Sequence, residues 1–164
     1  MATTTKFSDS GGAPISDPTT YRSAVGALQY VTLTRPDVSF AVNLACQFMH
    51  SPTEEHWQLV KRIIRYLKST QMAGLLIERS PSRSLQVFTD ADWAGDGSDR
   101  KSTGGFTIFL GPNLVSWVSH KQRIVARSST EAKYKALADA SAELIWLESL
   151  FAELGYPLTS PPIL

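Results

Sequence analysis

The chain has a single cysteine, Cys46, so an internal disulfide framework and a cysteine-cluster zinc site are both excluded. It also lacks a charge of one sign: sixteen basic residues stand against fifteen acidic ones, and the bulk charge of +1 names no partner. No apolar run approaches the roughly 18–20 residues that a membrane span requires. Met1 to Asp17 is rich in Thr, Ser and Gly and has no hydrophobic segment, so it does not read as a signal peptide, and an intracellular location, cytoplasmic or nuclear, is expected. The composition is that of an ordinary globular protein, 43% hydrophobic and 19% charged, and 164 residues can bury a sizeable core.

The even charge hides a segmentation. Residues 1–75 and 76–127 each carry a net +2, and residues 128–164 carry −3. Four aspartates, Asp90, Asp92, Asp96 and Asp99, fall within ten positions.

Residues 1–16 read as a flexible leader without periodicity. Asp17-Pro18 then opens a helix as cap and first residue, with Tyr21, Val25, Leu28 and Val31 at helical spacing. Arg35-Pro36 interrupts it, because the residue before a proline avoids the α region. A second helix is expected from about Asp37 to Met49. A third, capped by Ser51 or Thr53, runs to about Thr70 with Trp57, Val60, Ile63, Ile64 and Leu67 inward and Lys61, Arg65 and Lys68 on another face. Residues 17–75 therefore form a helical segment.

From residue 76 the pattern changes. Gly74–Arg79 reads as a short strand and Leu85–Thr89 as another, ending at Asp90. Gly104–Leu110 and Leu114–Ser119 form a hairpin about Gly111-Pro112-Asn113. Ile124-Val125 is a short strand or a linker. Ser128 to about Leu154 is the longest helix, with Leu137, Leu144, Leu147, Leu150 and Phe151 as its core stripe. Beyond it Thr159–Leu164 shows no further element. The fold class is α+β.

Asp90 lies at a strand end, and Asp92, two residues on, points the same way in an extended backbone. Paired carboxylates there suit a hard cation such as Mg²⁺, and Glu131, in the first turn of the long helix, comes near if that helix crosses the sheet. Plainer readings stand beside this one. An Asp-rich loop is also an ordinary solvated turn, and Ser128-x-x-Glu131 is also a capping box. Arg100, Lys101, Lys121, Arg123 and Arg127 collect in the loops around the sheet, either to meet nucleic-acid phosphates or as a solvated face. Trp117 and Trp146 sit in apolar patterns and read as core, and Cys46 reads as a buried thiol.

Several motifs agree on one resemblance. Phe88-Thr-Asp-Ala-Asp-Trp-Ala-Gly-Asp96, Ser98-Asp-Arg-Lys-Ser-Thr-Gly-Gly-Phe106, Ser116-Trp117 with Lys121-Gln122, and Ala126-Arg-Ser-Ser-Thr-Glu-Ala-Lys-Tyr134 resemble the ribonuclease H domain of copia-like LTR retrotransposon polyproteins. Tyr21–Tyr30, Thr34–Phe40 and Ile64–Lys68 resemble the segment that joins reverse transcriptase to that domain, and Glu143–Leu147 also fits. The resemblance implies an incomplete ribonuclease H-like fold in residues 76–164. It also implies a substrate class, RNA–DNA hybrids cleaved with two Mg²⁺ ions. By this resemblance Asp90 and Glu131 are the catalytic, metal-binding residues and Asp92 a supporting one. The family's later carboxylates have no match here: Asp139 and Glu143 read as solvated-face residues, and Lys133 stands where relatives commonly carry a second glutamate. Expected, therefore, are weak or absent Mg²⁺ binding and little nuclease activity from this chain alone. An unpaired sheet edge is expected too, to be covered either by a helix from the N-terminal segment or by self-association with a second chain. The alternative is a domesticated, non-catalytic module that binds nucleic acid or protein.

Overall fold

The computed structural model describes residues 12–95 and 99–164, so Asp96 and residues 1–11 of the expected leader lie outside the described residues. The chain divides into two compact units at Leu75/Leu76.

In the first unit, α1 (Pro18–Val31) starts where the Asp17 carboxylate accepts the Thr19 N–H at 2.9 Å. It buries Tyr21, Val25 and Leu28. The second helix is shorter than expected. Arg35 leaves the helical region ahead of Pro36, a 3-10 turn covers Pro36–Val38, and α2 spans only Ser39–Gln47. The Arg35 guanidinium explains the tight turn, for it grips Asp37 at 2.8 and 2.9 Å and also reaches the Thr70 carbonyl and hydroxyl. Arg35 holds the Asp37 carboxyl down at about 2.

Helix α3 (Glu54–Ser69) is capped by Thr53, not Ser51. The Thr53 hydroxyl accepts from the His56 N–H, and the Thr53 N–H donates to His56 Nδ1 at 3.1 Å. This pins His56 inward, stacked on Phe48 at a ring distance of 3.8 Å. The buried face becomes His56, Leu59, Val60 and Ile63, while Ile64 is 46% exposed, contrary to the expected stripe. Buried Tyr21 donates its hydroxyl to the Ala45 carbonyl at 2.8 Å, as a phenol removed from water must find a partner. The leader expectation fails at its described end. Ile15 is buried, and Ala13–Ile15 pairs with the backbone of Pro52–Glu54.

The second unit is a three-stranded antiparallel sheet in the order β1 (Leu85–Asp92), β2 (Thr103–Leu110), β3 (Asn113–Lys121), followed by α4 (Ser129–Glu153). This is the expected α+β, incomplete ribonuclease H-like arrangement. Alternation along β1 turns Leu85, Val87 and Ala91 inward and Gln86, Phe88, Asp90 and Asp92 outward. Helix α4 meets the inner face through two patches. Near its start, Ala132 and Ala136 close on Ala91 and Ala126; further on, Ala140, Leu144 and Leu147 pack against Leu85, Val87, Phe106 and Ile108. The anticipated leucine stripe is thus half alanine, and Leu137, Leu150 and Phe151 are only partly buried. The reason is close approach: a Cβ on Gly104 would sit 3.5 Å from the Ala136 Cβ, leaving no room for larger side chains there.

Two further expectations change, and one open alternative resolves. Gly74–Arg79 is not a strand. Leu76 and Ile77 are each 73% exposed, and the backbone N–H and C=O of Glu78 bond to the Asn113 side-chain amide at 2.6 and 2.9 Å instead of to a neighbouring strand. Ile124-Val125 is a linker. The tail does add an element: Ile163 runs parallel to β1, its N–H donating to Leu85 O at 3.0 Å and its carbonyl accepting from Val87 N at 2.9 Å. The sheet edge expected to be free is therefore bridged at Leu85–Val87. Among the described residues, Thr89 and Ala91 have no backbone partner on that side. No helix among the described residues is long and apolar enough to cross a membrane.

Candidate carboxylate site and nucleic-acid interface

Register fixes where Asp90 stands. It pairs across the sheet with Gly105, which pairs in turn with Ser119, so the outward surface beside its carboxylate carries almost no side-chain bulk. The Asp90 side chain is 86% exposed. Its charged neighbour on α4 is Lys133, whose Nζ lies 3.9 Å from Oδ1. Lys133 thus acts on the strand carboxylate, although in sequence it lies only two residues from Glu131. Asp92 faces outward too, and its carboxylate is packed on the backbone of Gly95, where any Cβ would collide with it. It braces the turn in which Ala94 adopts φ 50°.

Glu131 is engaged at both oxygens. Oε2 accepts the Arg127 N–H at 2.7 Å, and Oε1 lies 2.9 Å from Lys135 Nζ. Its own N–H donates to the Ser128 hydroxyl at 3.1 Å, completing a cap in which the glutamate reaches back one residue further than in a standard capping box. Lys135, with the Arg127 N–H, holds the Glu131 carboxyl below its usual range. Mg²⁺ wants several free oxygens converging at about 2.1 Å. Asp90 turns towards an ammonium group and Glu131 is occupied as a cap, so this pair does not fit a two-metal frame. No group of three metal-ligating side chains occurs among the described residues.

The cations expected at the interface divide. Lys121 and Lys101 both lean on Asp99, at 3.0 and 3.9 Å, and Arg100, on the same loop, takes a left-handed φ of 54°. Arg123 and Arg127 are exposed on the linker between β3 and α4. A shallow groove of about 550 Å³ opens beside them, lined by His120, Lys121, Gln122, Arg123, Lys135 and Asp139.

Several supporting residues were not evident in the sequence. Gln122, 5% exposed, donates Nε2 to the Ala132 carbonyl at 2.9 Å and its backbone N–H to Ser102 O at 2.8 Å, and so ties the end of β3 to both β2 and α4. The Lys121-Gln122 motif marks this residue by resemblance, but its tying role shows only in the contacts. Trp93 donates Nε1 to the Ala126 carbonyl at 2.9 Å, fastening the loop after β1 to the approach of α4. Asp139, read as solvated, is exposed, whereas Glu143, read the same way, is partly buried; each nonetheless meets a β3 side chain. Asp139 sits 3.5 Å from His120 Nε2, and Glu143 accepts from the Ser116 hydroxyl at 2.9 Å. Beyond the reach of the alanine face, β3 contacts α4 through these longer polar side chains. Trp146 is 56% exposed and Trp117 partly buried, so the first is not core. Cys46 is half-buried and accepts from Gln29 Nε2 at 3.3 Å, with burial pushing its thiol up.

Comparison with known proteins places this arrangement. The chain is 50% identical over all 164 residues to the retrovirus-related Pol polyprotein from transposon RE1 of Arabidopsis thaliana, and 48% identical over the same length to that from transposon RE2. It spans 11% of the length of each. It is also 49% identical over 128 residues, 77% of the chain, to secreted RxLR effector protein 161 of Plasmopara viticola, covering 90% of that protein. No protein-family model and no solved structure matches the chain.

Proposed function

The chain belongs to the copia-type retrotransposon Pol polyproteins, and from that premise we propose that its second unit is a ribonuclease H-like element that binds RNA–DNA hybrid but does not hydrolyse it on its own. The observation that carries this reading is the state of the two carboxylates. Asp90 is exposed and turned to Lys133, and Glu131 is spent on the helix cap. Mg²⁺ binding at these residues is accordingly weak, through retained water. The exposed Arg100, Arg123 and Arg127, with Lys101 on the loop before β2 and Lys121 at the end of β3, supply phosphate contacts whose affinity falls with salt. The place of action is intracellular.

The test is a labelled RNA–DNA hybrid incubated with these 164 residues in Mg²⁺ or Mn²⁺, scored for both retention and cleavage. Retention that weakens with salt, without turnover, is the expected result. Turnover abolished by Asp90→Asn would overturn the inactive reading. A second reading, a stand-alone binding module without catalysis, draws on the effector relative, of which this chain matches 90% of the length. It predicts that Asp90→Asn changes neither hybrid retention nor partner binding.

A further inference from the structure

Helix α4 carries apolar side chains on two opposite faces. One is the alanine and leucine surface that packs on the sheet. On the other, Tyr134 is 67% exposed, Ile145 65% and Trp146 56%, and none of the three serves the carboxylate site. A helix that is apolar on both sides is made to be covered on both sides, and among the described residues nothing covers this one. Its pattern is self-complementary. Tyr134, Ala138, Ala142 and Trp146 follow at four-residue intervals and all are exposed, so the ridge reads aromatic, small, small, aromatic in either direction. The charged residues inside that stretch are engaged away from the ridge: Lys135 with Glu131, Asp139 with His120 and Glu143 with Ser116. Exposed charge flanks the ridge at its two ends, basic at Lys133 and acidic at Glu148.

We propose that this face of α4 docks a second copy of the chain, the two α4 helices packing antiparallel about a two-fold axis level with Ala140. In that arrangement Tyr134 of each copy meets Trp146 of the other, and Ala138 meets Ala142, as an isologous contact requires. The alanines at the crossing let the helix axes approach to the short end of the usual range of about 8–10 Å. Charge sets the direction. Antiparallel packing brings Lys133 of one copy to Glu148 of the other and opposes the helix dipoles, whereas parallel packing sets like charges side by side. The two aromatics, Ile145 and their small neighbours offer roughly 500 Å² per copy, or about 1,000 Å² over both, the lower end for a specific interface. The dimer is accordingly weak and reversible, with a dissociation constant of about 10⁻⁵ to 10⁻³ M.

Sedimentation equilibrium of the full chain in Mg²⁺-free buffer, from about 5 to about 500 µM, tests this. The average mass is expected to rise from 18.0 kDa towards twice that value. Ala142→Glu sets a charge on the axis from an exposed position, and should weaken association at least about tenfold with an unchanged thermal midpoint. Lys133→Glu and Glu148→Lys should each weaken it by about two- to fivefold, and the double variant should recover the wild-type affinity. A chain that stays monomeric over the whole range refutes the proposal. So does self-association that Ala142→Glu leaves unchanged, which would place the contact on another surface such as the open part of the β1 edge. Charge reversals that weaken association singly but do not recover it together refute the antiparallel arrangement.

Discussion

Replacing Gly105 with alanine tests the register that places Asp90. A Cβ on Gly105 would lie 2.6 Å from the Val118 carbonyl oxygen and 3.5 Å from the Ser119 Cα, both backbone atoms of β3. A Cβ on neighbouring Gly104 would meet Gln122 Nε2 at 3.1 Å and the Ala136 Cβ at 3.5 Å. The obstacles differ in kind: a side-chain amide can swing aside, whereas a carbonyl held in a ladder cannot move without disturbing its strand. Alanine restricts the unfolded chain and by itself stabilises by about 0.4–1 kcal/mol. Forcing an atom into packed backbone costs about 1–3 kcal/mol. Gly105→Ala should therefore destabilise the second unit by about 1–2 kcal/mol. Gly104→Ala should fall within about 1 kcal/mol of zero, the chain-restriction gain offsetting a weakened Gln122–Ala132 hydrogen bond worth about 1 kcal/mol. Urea unfolding followed by tryptophan fluorescence reads this directly, in a Trp57→Phe background so that only second-unit tryptophans report. With a slope of about 1–3 kcal/mol per molar urea, the Gly105→Ala midpoint drops by about 0.5–1 M and the Gly104→Ala midpoint moves by less than about 0.5 M. A Gly105→Ala chain as stable as wild type, or a Gly104→Ala chain less stable than Gly105→Ala, would refute the packing argument and the register behind it.

Two other outcomes follow from the carboxylates. Because the folded-state Glu131 carboxyl is held below its usual range by Lys135 and the Arg127 N–H, its contribution to stability is present above the ordinary glutamate range and lost as pH falls through the folded-state value. The unfolding midpoint of Glu131→Gln should thus lie below wild type at neutral pH and converge with it on acidification; a pH-independent gap would exclude the cap as the cause. Lys133→Glu exchanges the ammonium beside Asp90 for a carboxylate, so Mg²⁺ binding measured by calorimetry should strengthen, and an unchanged isotherm would show that Lys133 does not restrain this site.

What was legible in the sequence was mostly local. Asp17-Pro18, the Pro36 break, the Gly111-Pro112 hairpin and the Ser128 cap each follow from the backbone chemistry of one or two residues, and the structure has all four. What was not legible depended on partners distant in sequence. The segment Gly74–Arg79 has strand composition, but Asn113 takes the Glu78 backbone groups that a strand neighbour would need. The alanine face of α4 is set by how closely Gly104 lets the helix approach, which no helical periodicity encodes. The resemblance singles out Asp90 and Glu131 as candidates, but the neighbours of their carboxylates were not legible. The influence of Lys133 crosses from helix to strand, while sequence adjacency directs attention to Glu131.

The parallel bridge of Ile163 to Leu85 and Val87 also bears on the order of folding. It joins positions nearly eighty residues apart, whereas the β1–β2–β3 meander is assembled from neighbours. Contacts of such long sequence separation form late, after the loop-closure entropy of the intervening chain has been overcome. The meander should therefore become protected from hydrogen exchange first. The outer edge of β1 should stay open until α4 has docked, and during synthesis it is exposed for as long as the ribosome needs to deliver that helix.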